Sequence, residues 1–135
     1  MKTRFARMVC CALILIIAGP PAFGELPPYV YKTMQENAPE HVQIKVLSVK
    51  TREGKDQIQV LVEAKVTAVT RSDSHLKVGD IIRISYSHST SHVPGPSAVP
   101  VLVEDHSYEA FLGRYSTPDK SYSPGAGGRS FSPVQ

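Results

Sequence analysis

Past its eleventh residue the chain has no cysteine, and it has no tryptophan at all. Cys10 and Cys11 both stand in an apolar opening segment, so the remainder can form no disulfide and offers no thiol nucleophile or thiolate metal site. Acidic residues are missing from positions 1–24, where Lys2, Arg4 and Arg7 precede an unbroken apolar run over residues 9–18. That run is about half the length a membrane-spanning helix needs. Gly19-Pro20-Pro21 breaks it, and Ala22-Phe23-Gly24 offers small residues at the two positions a signal peptidase reads. A charged start, a short apolar middle and a small-x-small end form the pattern of a secretory signal, with cleavage expected between Gly24 and Glu25. The two cysteines come too early to be a lipoprotein's lipid-bearing residue, which follows the apolar run. The expected address is therefore the periplasm or the extracellular space. Absence of disulfides leans toward the former.

A lack of net charge follows from that cleavage. The chain has 15 Lys plus Arg against 12 Asp plus Glu, and losing Lys2, Arg4 and Arg7 leaves 12 of each. The pI near 8.9 belongs to the uncut chain and is no argument for nucleic acid or an anionic membrane. No basic block follows either, because Lys45, Lys50, Arg52 and Lys55 alternate with apolar or acidic neighbours. Residues 25–135 suffice for one domain and must hold it together with an unstapled core.

Residues 25–40 read as a lead-in, either a short helix or an extended arm. Pro27-Pro28 can open a helix over 29–37, with Val30 and Met34 on one face, and Pro39 stops it. A β domain is expected from 41 to 135. Val42, Ile44 and Val46 alternate with polar residues, after which the register flips to Leu47 and Val49, as a β-bulge would produce. A turn is expected around Gly54. Ile58, Val60, Val62, Ala64, Val66 and Ala68 then mark the inward face of a strand over 57–70. At about 3.3 Å per residue it would span roughly 45 Å. That exceeds a globule of this size, whose radius of gyration is ~13–14 Å, so the strand must bend strongly. Further strands are expected over 81–88, 99–103 and 108–114, with a short last one near Phe131; Pro100 limits its strand to an edge or opening.

This pattern predicts an all-β fold, a small five- to six-stranded barrel. The long bulged strand over 42–51, the curved strand over 58–69, Leu76-Lys77-Val78-Gly79-Asp80 before strand three, and Tyr108-Glu109-Ala110-Phe111-Leu112 resemble the OB-fold family. More loosely they resemble its netrin-like or tissue-inhibitor-of-metalloproteinase-like branch. The likeness covers residues 42–131. Netrin-like domains carry cysteines and a terminal helix, and neither occurs here, so inhibitor chemistry through an N-terminal cysteine does not carry over. What the likeness implies is a binding scaffold rather than a reaction.

Chemistry-bearing residues are sparse. His88 and His92 flank Ser89-Thr90-Ser91, with Glu104, Asp105 and His106 beyond. Imidazoles at such spacing could share a metal if a loop folded them together, with His106 or Glu104 as third ligand. The alternative is a polar loop with incidental histidines. His41 and His75 read as isolated surface residues. No Gly-x-Ser-x-Gly occurs, and the contiguous Asp105-His106-Ser107 is wrong for a triad, whose members converge from different directions. The glycine-rich run from Pro124 to Arg129 lacks the Lys-Ser/Thr and helix of a phosphate loop. It reads instead as a loop, or as backbone approaching another surface closely with Arg129 beside it. Strand two presents no aromatic ring outward, which argues against nucleic acid again.

The expectation is an exported, non-enzymatic binding module with no cofactor. Its partner would be another periplasmic or extracellular protein, met through the loops over 87–97 and 115–129, with His88, His92 and Arg129 as candidate contacts. Transition-metal binding by His88, His92 and His106 is the alternative.

Overall fold

The computed structural model describes residues 25–91 and 95–135. The expected signal, with Gly24 on one side of its cleavage point, lies outside the described residues, and so does His92. Among the described residues no helix is long and apolar enough to cross a membrane.

A short helix comes first, α1 (Pro28–Asn37), with proline at its opening positions. Five strands follow: β1 (Glu40–Gly54), β2 (Gln57–Ser72), β3 (Ile81–Ser89), β4 (Ser107–Leu112) and β5 (Phe131–Pro133). All pair antiparallel in one sheet of order β3-β2-β1-β4-β5. The register flip read after Val46 is a bulge at Leu47, the residue skipped where Val46 faces Ala64 and Ser48 faces Glu63. Two more slips skip Thr67 and Thr70 on β2. Each bulge adds local twist, which lets these long strands curl around their own inner face.

That face is the core. Val42, Ile44 and Val46 of β1, Val60, Val62, Ala64 and Val66 of β2, and Ile82, Ile84 and Tyr86 of β3 are all buried in it. The hairpin turn falls on Lys55-Asp56, and Asp56, not Gly54, takes the left-handed conformation (φ 60°).

Two expectations are corrected. The first is barrel closure: the strands form an open sheet whose edges are β3 and β5. Segment 121–125 lies against both β3 and β4 without a full ladder. The Ser85 N–H donates to the Tyr122 carbonyl (3.0 Å) and the Tyr122 N–H to Arg83 (2.8 Å). On the other side the Gly113 N–H reaches Ser123 (2.7 Å) and the Gly125 N–H reaches Phe111 (2.8 Å). Pro124 has no N–H to donate and Gly125 favours no extended state, so pairing stays confined to isolated bridges.

The second correction concerns residues 99–103, which are no strand. Side chains do the work of a neighbouring ladder there. The Tyr86 hydroxyl donates to the Pro100 carbonyl (2.7 Å) and accepts the Leu102 N–H (3.4 Å), while the Tyr108 hydroxyl accepts the Val103 N–H (3.1 Å). Leu102 is thereby pressed into the core at 2% exposure.

Burial pushes the Tyr86 phenol up to about 12, with the Leu102 N–H opposing and nearby Tyr108 adding to the rise. A folded pKa above the unfolded value makes this group's stabilising share complete below pH about 10 and lost as pH rises through about 12. Alkaline melting should therefore fall more steeply in wild type than in Tyr86→Phe over that window. At neutral pH the variant should be less stable by about 0.5–1.5 kcal/mol for the lost hydrogen bonding.

The helix packs on the outside of the sheet, where Ala38, Phe111, Ala126 and Met34 form a second small cluster. Arg71 of β2 ties down the helix end, its guanidinium donating to the carbonyls of Gln35 and Ala38. A cation at a helix C-terminus satisfies orphan carbonyls and the dipole together.

Candidate functional site

Among the described candidate residues, His88 and Arg129 make contacts within the fold, and the His106 side chain is exposed. His88, half-buried at the end of β3, makes a 2.7 Å hydrogen bond from Nδ1 to the Val99 carbonyl. A carbonyl can only accept, so Nδ1 carries the proton. Glu104 accepts the Val49 N–H (3.1 Å). His106 is exposed, and its backbone, not its ring, meets Val46. His88, Glu104 and the two tyrosines thus pin the long connection between β3 and β4. Among the described residues no group of three or more His, Cys, Asp or Glu side chains gathers to hold a metal, and His92 lies outside them.

Arg129 also makes contacts within the fold. Its guanidinium lies 5.4 Å over the Tyr31 ring, and its carbonyl accepts from Gln35 (2.8 Å). Both contacts hold α1. The glycine run does approach another surface closely: a Cβ on Gly128 would sit 2.5 Å from that of Ser97. Glu25 reaches the same place, accepting a hydrogen bond from the Ser97 hydroxyl.

His41 is not the isolated surface residue expected. It stands directly opposite Phe111 across the β1–β4 pair, stacks on that ring (4.2 Å) and bonds Glu109 (2.6 Å). Pairing across strands far apart in sequence produces this contact, and nothing local signals it. Glu40 is a further surprise, 1% exposed, bonded by the Ser72 hydroxyl and the Ser74 N–H (2.9 Å). Ser74 in turn meets the Tyr122 hydroxyl (2.6 Å). Burial raises the Tyr122 pKa, Ser74 opposes it, and the charges of Glu40, Tyr115 and Asp80 add to it.

Open concave surface gathers elsewhere, on the outer face of β1, β2 and β3. Strand register lays residues out in rows: Ser48, Glu63 and Arg83; Lys50, Leu61 and Ser85; Arg52, Gln59 and Ser87. Leu61 stands at the centre, 38% exposed where alternation puts polar residues. Three concavities of about 380, 260 and 250 Å³ adjoin it. A fourth, of about 470 Å³, shares Arg83 and Tyr122 with the first and is lined by Ile81, Tyr115 and Lys120.

One wall of the 380 Å³ hollow is the connection after β4. There Ser116 and Ser121 pair backbone to backbone, and the Ser116 hydroxyl donates to Asp119 (2.9 Å). Arg114 belongs to this wall and Arg83 to the sheet, and Ser85, Ser121 and Ser123 line the same hollow. Among the described residues the ion pairs are Lys32–Glu36 and His41–Glu109, so neither arginine has a carboxylate within 4.0 Å. Donors and cations without a direct ion-pair partner in a concavity are suited to oxygen acceptors on a ligand.

The chain matches no family model, no curated protein and no solved structure. Leu61 falls among the outward positions of β2, between the inward Val60 and Val62. The available signal is a large aliphatic residue at a position that strand alternation gives to solvent. Arg83 and Arg114 carry no such signal, because their proximity depends on how the connection after β4 folds back.

Proposed function

We propose that this chain is an exported, non-enzymatic binding module, and that it meets another protein of the periplasm or extracellular space through the outer face around Leu61. The supporting observation is the exposed leucine at the junction of three concavities, ringed by Lys50, Arg52, Arg83 and Arg114. An apolar centre with a polar, charged rim is the usual anatomy of a protein interface. The wall over 114–123 belongs to one of the two connections expected to bear the partner. An OB-like course of the chain supports the same reading: segment 121–125 lies between β3 and β4, parallel to the first and antiparallel to the second. Nucleic acid is not the proposed partner, since no aromatic ring lies among the outward positions of β2.

Photocrosslinking tests the surface. A photoreactive residue at position 61 should trap a discrete, saturable species in the exporting cell. The same residue at Val69, equally exposed at 38%, should not. Equal yields from both positions would remove the reading. Mass measurement of the exported protein tests delivery, with an N-terminus at Glu25 expected.

A further inference from the structure

We infer that the hollow between Arg83 and Arg114 is a subsite for a tetrahedral oxyanion, a phosphate or sulfate group. This rests on the reading of the Leu61 face as the binding surface and names the chemistry that one part of it would take.

Three features carry it. Two arginines line one hollow of about 380 Å³, Arg83 from β3 and Arg114 from the connection after β4. Bringing like charges into one concavity is unfavourable on its own, and a neighbouring carboxylate commonly offsets it. Here Glu63 faces Arg83 across the β2–β3 pair, and Asp119 lines the hollow, yet neither comes within ion-pair distance of an arginine. The second feature is donor count. Ser85, Ser121 and Ser123 also line the hollow, while the Ser116 hydroxyl is given to Asp119. Together with two five-donor guanidinium forks they offer more N–H and O–H groups than the two oxygens of a carboxylate could accept. Three or four oxygens spread tetrahedrally suit such a set better.

The third feature is Asp119. Its Oδ2 accepts from the Ser116 hydroxyl, which holds the carboxylate in the lining of the hollow. From there it repels a bare anion but accepts a hydroxyl beside one. An ester on a polyhydroxyl carrier should therefore bind better than the free ion.

Titration with amide NMR of the protein as recovered from the exporting cell tests this. The probes are inorganic phosphate, inorganic sulfate, glucose 6-phosphate and glucose 6-sulfate, with acetate and glucose as controls. Saturable shifts are expected at Ser85, Ser121 and Ser123, tighter for the esters than for the free ions and weakening with salt. Arg83→Gln and Arg114→Gln should each weaken glucose 6-phosphate binding by about tenfold or more, while Arg83→Lys should recover part of it, a point charge lacking the fork. Both side chains are exposed, so unchanged melting of each variant would show the fold intact. Shifts of equal size around Lys65 and Lys77, retention of binding in the double variant, or equal response to acetate would overturn the subsite. So would no response to any of the four oxyanion probes. If crosslinking from position 61 persists in that case, the binding face stands and the oxyanion chemistry alone falls; if both fail, both fall.

Discussion

Leu102→Ala should lower the unfolding free energy by about 2–5 kcal/mol, although Leu102 belongs to no strand or helix. The residue is 2% exposed and packs in the main core beside residues of β1, β2 and β3. Open sheets leave their core uncovered at the ends, and here the connection between β3 and β4 supplies cover, with Leu102 buried in the core and Val99 packed partly buried against it. Relaxation into the vacancy is limited, because Tyr86 and Tyr108 hold the backbone on either side of it. The transfer loss and most of the cavity loss should thus both be felt. Val101→Ala and Val103→Ala, at neighbouring exposed positions, should stay within about 0.5 kcal/mol. Urea titration followed by far-ultraviolet circular dichroism measures all three. Equal midpoints for Leu102→Ala and Val101→Ala would show that the connection does not cover the core.

A comparable loss is expected from Gly125→Ala, through a different cause. A Cβ at this position would lie 2.8 Å from the Leu112 carbonyl carbon, 3.0 Å from its oxygen and 3.1 Å from the Gly113 nitrogen. All three are backbone atoms of β4 or its exit, and no rotamer change can move them aside. The segment must retreat, which stretches the Gly125–Phe111 and Gly113–Ser123 hydrogen bonds at once. Overpacking costs about 1–3 kcal/mol, and each strained hydrogen bond adds about 0.5–1.5 kcal/mol. Gly95→Ala is the control, since nothing lies within 4 Å of its added Cβ. The displacement should also be visible at a distance, as loss of amide-exchange protection at Ser85, whose N–H bonds the same segment. Protection unchanged at Ser85 would mean that segment 121–125 does not join the two sides of the sheet.

Both predictions concern features that alternation could not reveal, whereas the sheet itself was largely legible. Inward positions of β1, β2 and β3 follow from period-two patterning, because a strand buried on one face has no other way to hide its aliphatic residues. The bulge at Leu47 was legible for the same reason: one extra residue exchanges the faces, and the apolar pattern changes phase with it. Prolines mark the start and end of α1 through their fixed φ and missing N–H. Misreading began where local pattern and tertiary pairing part company. Val99, Val101 and Val103 have the composition of a strand, but Pro100 lacks a donor and the partners proved to be tyrosine hydroxyls and His88. His88, singled out by its spacing from His92, bonds the Val99 carbonyl through Nδ1, a contact that spacing does not signal.

What the amino-acid order determined unaided is therefore the β class, the phase of each long strand and the absence of any thiol chemistry beyond the opening segment. Each of these depends on residues within a few positions of one another, or on mere presence and absence. Tertiary structure alone decided that the sheet stays open, that Leu102 and segment 121–125 cover its gap, and that Arg83 and Arg114 line one hollow beside Leu61. These are contacts between segments tens of residues apart, set by how far bulged strands twist and where a proline-broken connection returns. No local periodicity encodes such distances.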